Sequence, residues 1–324
     1  MTVLQNENRE KTSKQRFINR SFLVKYSAWI IFFGLVILAT LLSPKFLTYR
    51  NLFNVLRQVS ILGVLAVGIT FVIISGGIDL SVGGVLALSC VLVPLIYNRL
   101  GDSILVIILI CIAAGAILGG LTGTLISYGK MQPFMASFGM ATIAEGLAFL
   151  LSDGRPIILS DQRWPEFGNG SSFGVPNLAI IFLITIIIGQ IILSQTKFGV
   201  NVFAIGNNEL ATSLSGVRTR PVKFTVYLIS GALAATGGLM MTARIGVGDP
   251  GVGAGYALDA IAAVIVGGTR MGGGYGSIIN TLLGAFMIGI LNNVFNLLGI
   301  SPYPQMIFKG MIIIVAVLAG QRKK

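Results

Sequence analysis

The sequence predicts an all-α, polytopic membrane protein of about ten transmembrane helices, arranged as an inverted five-plus-five repeat with broken or re-entrant helices. Three observations predict it. Of 324 residues, 54% are hydrophobic and only 10% charged, against about 25% charged in a soluble domain, and the mean hydropathy is +0.88. Apolar runs near the ~20 residues needed to cross a bilayer recur along the chain. Two acids, Asp79 and Asp259, stand among glycines inside or beside such runs. A carboxylate at membrane depth is costly and is expected to face protein, water or a solute path.

Positive charge opens the chain. Arg9, Lys11, Lys14, Arg16, Arg20 and Lys25 precede the first apolar run without a convincing A-x-A-like cleavage site, which reads as an uncleaved cytoplasmic tail over 1–25. A single membrane domain is then expected over 26–320. Its spans fall near 22–42, 55–75, 80–98, 104–126, 133–151, 175–193, 224–243, 257–269, 277–298 and 306–320. The eighth is too short for an ordinary crossing, so it must be extended by its glycine-rich flanks or break within the membrane. Ten spans put both termini on one side. The tail and the C-terminal stretch 321–324, with Arg322, Lys323 and Lys324, are both basic, which places that side in the cytoplasm. The loop 194–223, with Lys197, Arg218, Arg220 and Lys223 against Glu209, falls inside; the loop 152–174, of mixed charge, falls outside. Lys45, Arg50 and Arg57 run against the rule by landing outside.

An offset of 166 residues lays spans two to five on spans seven to ten and aligns Gly123 with Gly289 and Leu125 with Leu291. Five spans per half is an odd number, so the halves would have opposite topology, a plan used by many transporters. Gly115, Gly119 and Gly123 form overlapping GxxxG steps that read as a close helix crossing.

Several chemistries are excluded. The net charge of +12 gathers at the termini and in a few loops, which fits orientation in a membrane and not nucleic-acid binding. Cys90 and Cys111 lie in apolar runs and the chain has no histidine, which argues against a disulfide framework, a Cys/His metal site and a neutral-pH proton shuttle. Gly246, Gly248 and Gly251 match G-x-G-x-x-G, but no strand is expected before them and Pro250 intrudes. No G-x-x-x-x-G-K-[ST] occurs. Arg244 and Arg270, at span ends, are expected to snorkel.

The remaining polar residues define candidate sites. Asp79, in ISGGIDLSVGG, and Asp259, in GYALDAIAAVIVGGTRMGGGYG, can cap half-helices, line a path, or do both. Glu145, inside span five, is either functional or a partnered packing acid. Asn292, Asn293, Asn296 and Gln305, with Tyr303 and Phe308 beside them, suit a neutral polyol: amides pair with hydroxyls and a ring covers the C–H face. The plain alternative is an interfacial belt with helix caps. In TKFGVNVFAIGNNELATSLSGV a turn at Gly206-Asn207-Asn208 leads into a short helix from Glu209 to Leu214, with Asn208 as N-cap and Gly216 as C′ residue. Such a helix across the cytoplasmic face can be gripped by a separate motor, or serve as a connector.

These segments carry a resemblance. GITFVIISGGIDLSVGGVLALS, TKFGVNVFAIGNNELATSLSGV, GYALDAIAAVIVGGTRMGGGYGSIINTLLGA, LNNVFNLLGISPYPQMIFKG and FGNGSSFGVPN, within roughly residues 40–320, resemble the permease subunits of bacterial ABC importers for monosaccharides. The ribose/xylose/galactose group, its ribose members above all, is the one they resemble. The resemblance implies an inner-membrane subunit with no catalytic residues and no cofactor of its own. It would work beside a second permease subunit, a cytoplasmic ATP-binding subunit carrying ATP and Mg, and a periplasmic sugar-binding protein. It implies a coupling role for Gly206, Asn207, Glu209, Ala211, Ser215 and Gly216. It also implies a pathway or gate role for the segments around Asp79 and Asp259, to which Asn292, Asn293 and Phe308 add themselves by residue type. Thr212 and Ala257 depart from the family's usual alanine and glutamate. The rival expectation is an ion-coupled secondary transporter in which Glu145, Asp79 or Asp259 binds the ion.

Overall fold

The computed structural model describes residues 28–100 and 103–321. The tail expected over 1–25 and the basic residues Arg322, Lys323 and Lys324 lie outside them. Helix α1 covers Ala28–Leu42. It is followed by α2 (Tyr49–Ile74), α3 (Ser81–Leu100), α4 (Ile104–Ser127) and α5 (Pro133–Leu151). A short helix α6 (Arg163–Asn169) and the two-residue strands β1 (Ile157–Ile158), β2 (Ser171–Ser172) and β3 (Val175–Pro176) build the next connection. Then come α7 (Asn177–Gln195), α8 (Lys197–Asn207), α9 (Glu209–Leu214), α10 (Thr219–Ile245), β4 (Val247–Gly248), α11 (Tyr256–Val266), α12 (Ile278–Leu297) and α13 (Pro302–Gln321).

Among the described residues seven helices are long and apolar enough to cross a membrane: α2, α3, α4, α5, α7, α10 and α12. With α1, α11 and α13 they occupy the ten expected spans. Helix α11 has 11 residues, about 16 Å at 1.5 Å per residue, so this span is short, as expected. Glycines set its bounds: Gly255, with φ +82°, precedes it and Gly268, with φ +93°, follows it.

Helix α2 is the centre of the bundle. Every residue from Val59 to Ile74 is buried, as befits a helix apolar all round. Four helix pairings map onto four others when α2 is exchanged with α10, α3 with α11, α4 with α12 and α5 with α13. The pairs α4–α10, α3–α10, α3–α5 and α3–α4 have the counterparts α12–α2, α11–α2, α11–α13 and α11–α12. The aligned glycines make equivalent crossings. A Cβ on Gly123 would press on the Phe224 backbone and the Tyr227 side chain of α10, and one on Gly289 would run into Val59 of α2. Thr225, 166 positions after Val59, lies between Phe224 and Tyr227. The GxxxG reading holds too: Gly119 lies against the Tyr227 and Gly231 backbones, and Gly115 against that of Gly231.

The connections at one end are knitted together. Strand β1 pairs with β4, joining the 152–176 segment to the α10–α11 connection. Arg57 of α2 donates to the Asn169 carbonyl. Asn169 donates to the Arg244 carbonyl at 3.0 Å, and Arg244 donates to Asn54 at 3.1 Å. Arg57, one of the cations that run against the inside rule, thus ties α2 to α6, and Arg244, expected to snorkel, ties α10 to α2. Gly248, from the G-x-G-x-x-G match, lies in β4 against Pro94.

Candidate functional site

Two polar regions lie at different levels along α2. Its C-terminal end, at Ile74, meets α8. Gly274 donates its amide to the Ile74 carbonyl at 2.8 Å, and a Cβ on Gly206 would collide with that same carbonyl and with the Gly274 backbone. A Cβ on Gly273 would come within 3.0 Å of the Cα atoms of both Gly206 and Gly76. Three glycines therefore meet: one from the α2–α3 break, one from the end of α8 and one from the α11–α12 loop. Only glycine allows backbones this close, and Gly76 (φ +82°) and Gly273 (φ +81°) also need its left-handed freedom. Asn207 fastens the junction, donating to the Gly274 carbonyl at 3.3 Å.

One sequence expectation is corrected here. Gly206 and Asn207 belong to helix α8; they do not form a turn, and only Asn208 leaves helical geometry, at φ −161°. The cause is a start signal the sequence reading passed over. The Thr196 hydroxyl accepts from the Gly199 amide at 3.2 Å, capping α8.

Helix α9 lies where it was read. Asn208 Oδ1 accepts from the Ala211 amide at 2.9 Å. The Gly216 amide donates to the Ser213 carbonyl and the Val217 amide to the Thr212 carbonyl. With Gly216 at φ +87° this is a Schellman ending. Lys223 of α10 pairs with Glu209 at 3.0 Å, Ser215 donates to the Ala211 carbonyl, and Thr212 is buried beneath. Leu210 and Leu214, four apart on one face, are 71% and 80% exposed.

Asp79 holds the α2–α3 break. It is fully buried. Its Oδ1 accepts from the Ser81 amide at 2.9 Å and the Ser81 hydroxyl at 2.6 Å, and its Oδ2 accepts from the Ser230 hydroxyl of α10 at 2.7 Å. Tyr227 donates to the neighbouring Ile78 carbonyl at 3.3 Å. The carboxylate turns the chain into α3 and pins that turn to α10.

The second region is sixteen residues back along α2, about 24 Å, at Gln58. A cavity of about 180 Å³ opens there between α2, α11, α12 and α13. Gln58 and Leu62 come from α2, Tyr256 and Asp259 from α11, Asn292 and Asn296 from α12, Gln305 and Lys309 from α13. Lys309 Nζ donates to Asp259 Oδ2 at 2.7 Å. Asn292 is 9% exposed, and its Oδ1 has no hydrogen-bond partner among the described residues. Gln305 bridges Asn296 at 3.1 Å and the Ile300 carbonyl at 2.8 Å, tying α12 to α13.

The pathway candidates thus separate. Asp259 and Asn292 line the cavity. Asn293, one residue on, points away and exchanges two hydrogen bonds with Asn51, at 2.9 and 2.8 Å. Phe308 stacks on Phe295 at 5.5 Å and is 46% exposed. Glu145 stands on the exposed face of α5, and Arg270 lies over the Tyr275 ring at 4.9 Å. Lys309, Gln58 and Tyr256 had not been singled out. A lone lysine inside an expected span, with an acid in another, was the signal for Lys309.

The chain is a multi-pass helical membrane protein with a polar cavity and a capped, exposed helix. The family model described as "Branched-chain amino acid transport system / permease component" matches residues 51–317, and the chain belongs to this family. It is 42% identical to the ribose import permease protein RbsC of Bacillus subtilis (strain 168), over 97% of this chain and 98% of that one. It is 38% identical to the protein of the same name from Escherichia coli (strain K12), over 97% and 99%. Against the galactose/methyl galactoside import permease protein MglC of Haemophilus influenzae the identity is 35%, over 94% and 97%. No solved structure matches.

Proposed function

We propose that this chain is the membrane-spanning permease subunit of a bacterial ABC importer that carries a monosaccharide, a ribose-like pentose first, across the inner membrane. The single domain over 26–320 has both termini in the cytoplasm, which places α8 and α9 inside and the cavity outside. A separate cytoplasmic subunit holds ATP and Mg and does the hydrolysis; this chain binds no cofactor. A second permease subunit completes the membrane unit, and a periplasmic binding protein delivers the sugar.

The observation that carries this reading is the α8–α9 unit. Its helix is capped at both ends, shows two leucines to solvent, and rests through Gly206 on the end of α2 and on the α11–α12 loop. A partner gripping Leu210 and Leu214 would push on α2, α3 and α11 at once. Gly206 and Asn207 would transmit that push, and Glu209, Ala211, Ser215 and Gly216 keep the gripped helix in shape. Asp79 holds the moving turn and Asn293 the framework, while Asp259 and Asn292 face the solute and Phe308 stacks on Phe295 outside the lining. Relatives named for ribose and galactose import favour this over ion coupling.

The test is to tag the chain, solubilise native membranes gently and identify what co-purifies. A partner containing a P-loop, with ATPase activity raised by a sugar-loaded binding protein, is expected. A chain that purifies alone and moves solute on an ion gradient in liposomes would contradict it.

A further inference from the structure

The cavity between α2, α11, α12 and α13 has a lining that selects among solute classes. Its two charges, Asp259 and Lys309, engage each other at 2.7 Å, so they cancel and the lining carries no net charge to favour the ammonium or carboxylate of an amino acid. Around the pair stand amides: Gln58, Asn292 and Asn296. Leu62 is the aliphatic side chain among the long ones, too little apolar surface for a branched-chain side chain.

Asn292 is the independent pointer to a ligand. A buried amide oxygen without a partner is costly to leave empty, and this one belongs to a residue on the cavity wall. A hydroxyl satisfies it by donating, and can accept from a neighbouring amide through the same oxygen. The size is that of one ring: an engineered cavity of about 150 Å³ in another protein holds benzene, and this one, at about 180 Å³, is polar.

We infer that this cavity, inside a single permease subunit, is a binding site for one neutral polyhydroxylated ring, with Asn292 its central acceptor and the Asp259–Lys309 pair its charge-cancelled wall. The inference rests on the transport reading for the choice of probe.

The experiment uses the full chain alone in lipid nanodiscs and measures binding of tritiated D-ribose by equilibrium dialysis, with L-leucine as the competing class. Saturable ribose binding is expected, displaced by unlabelled ribose and untouched by leucine. Asn292→Leu should weaken it about tenfold, the loss of one buried hydrogen bond. Gln58→Leu, on a different helix, should also weaken it, and guards against a folding defect in the first variant. Leucine binding in place of ribose, or ribose binding unchanged in both variants, would overturn the inference. Absent binding to the chain, with ribose still imported by the assembled transporter, would overturn the site and spare the transport reading. Ribose bound by the chain but not imported by the assembled transporter would keep the site and sink that reading.

Discussion

Helix α9 and the Asp259–Lys309 cavity are both polar regions of the molecule, yet they are made in opposite ways. Helix α9 is local: its cap, its ending and its ion pair come from Asn208 to Lys223. The cavity takes Gln58 and Lys309 from near the two ends of the chain and closes only when four helices have packed. A local unit can be altered without disturbing the bundle, whereas a site formed by packing shares its residues with stability. The unit that meets a changing partner is the independent one, and the site that meets the solute is part of the framework.

The largest effect should come where α8, which carries α9, rests on the bundle. Gly206→Leu puts a side chain into the Ile74 carbonyl and the Gly274 backbone, an overpacking of about 3 kcal/mol. The variant should be recovered poorly in thermal-melt chromatography of detergent extracts, and wild-type recovery would mean the three-glycine contact is not tight. Next is the ion pair. Lys309→Met leaves Asp259 partly buried and unpaired, a loss of about 1–3 kcal/mol, between surface and buried values because the lysine is 27% exposed. Adding Asp259→Asn should restore most of that stability; a double variant no better than the single would show that the pair is not the reason.

A smaller effect is expected at α9. Asn208→Ala removes the cap, about 1 kcal/mol, and should lower sugar-stimulated ATPase activity while ribose binding to the chain stays intact. Equal loss of both would break the division between local and packed regions. Leu214→Glu, on the exposed face, should leave the melting temperature within a degree or two and abolish co-purification of the ATPase. The smallest effect concerns the connection between α5 and α7. Asp161 is held below its ordinary value of 3.8, first by the hydrogen bond from Arg163. The sign follows: its contribution is complete above 3.8 and is lost as pH falls through the lower folded value. Protease sensitivity of this connection should therefore rise below pH 3.8 and not between pH 5 and 8.

The same contrast explains what could be read from the sequence. Asn208, Gly216 and the bounds of α9 were legible because capping is a rule about neighbours in sequence. The positions of ten helices, seven of them long and apolar enough to cross a membrane among the described residues, and the exchange of α2 with α10 were legible because hydropathy and the 166-residue offset survive without coordinates. The cavity was legible only as residue types. Asn292 and Asn293 are indistinguishable in sequence, and helical geometry alone sends one to the cavity and the other to Asn51. Lys309 as the partner of Asp259 needed a fifty-residue contact that no periodicity encodes. Asp79 and Asp259 looked alike for their glycines; the first is sealed among hydroxyls and the second meets a cation at a cavity wall.

The most direct measurement is uptake of labelled ribose into liposomes holding this chain with its co-purified ATPase, with the sugar-binding protein on the face opposite α9, comparing ATP against imposed H⁺ and Na⁺ gradients. The account predicts uptake that requires ATP on the α9 side, ignores both gradients and is unchanged by Glu145→Gln. Uptake that follows an ion gradient without ATP, and is lost with Glu145→Gln, would contradict it.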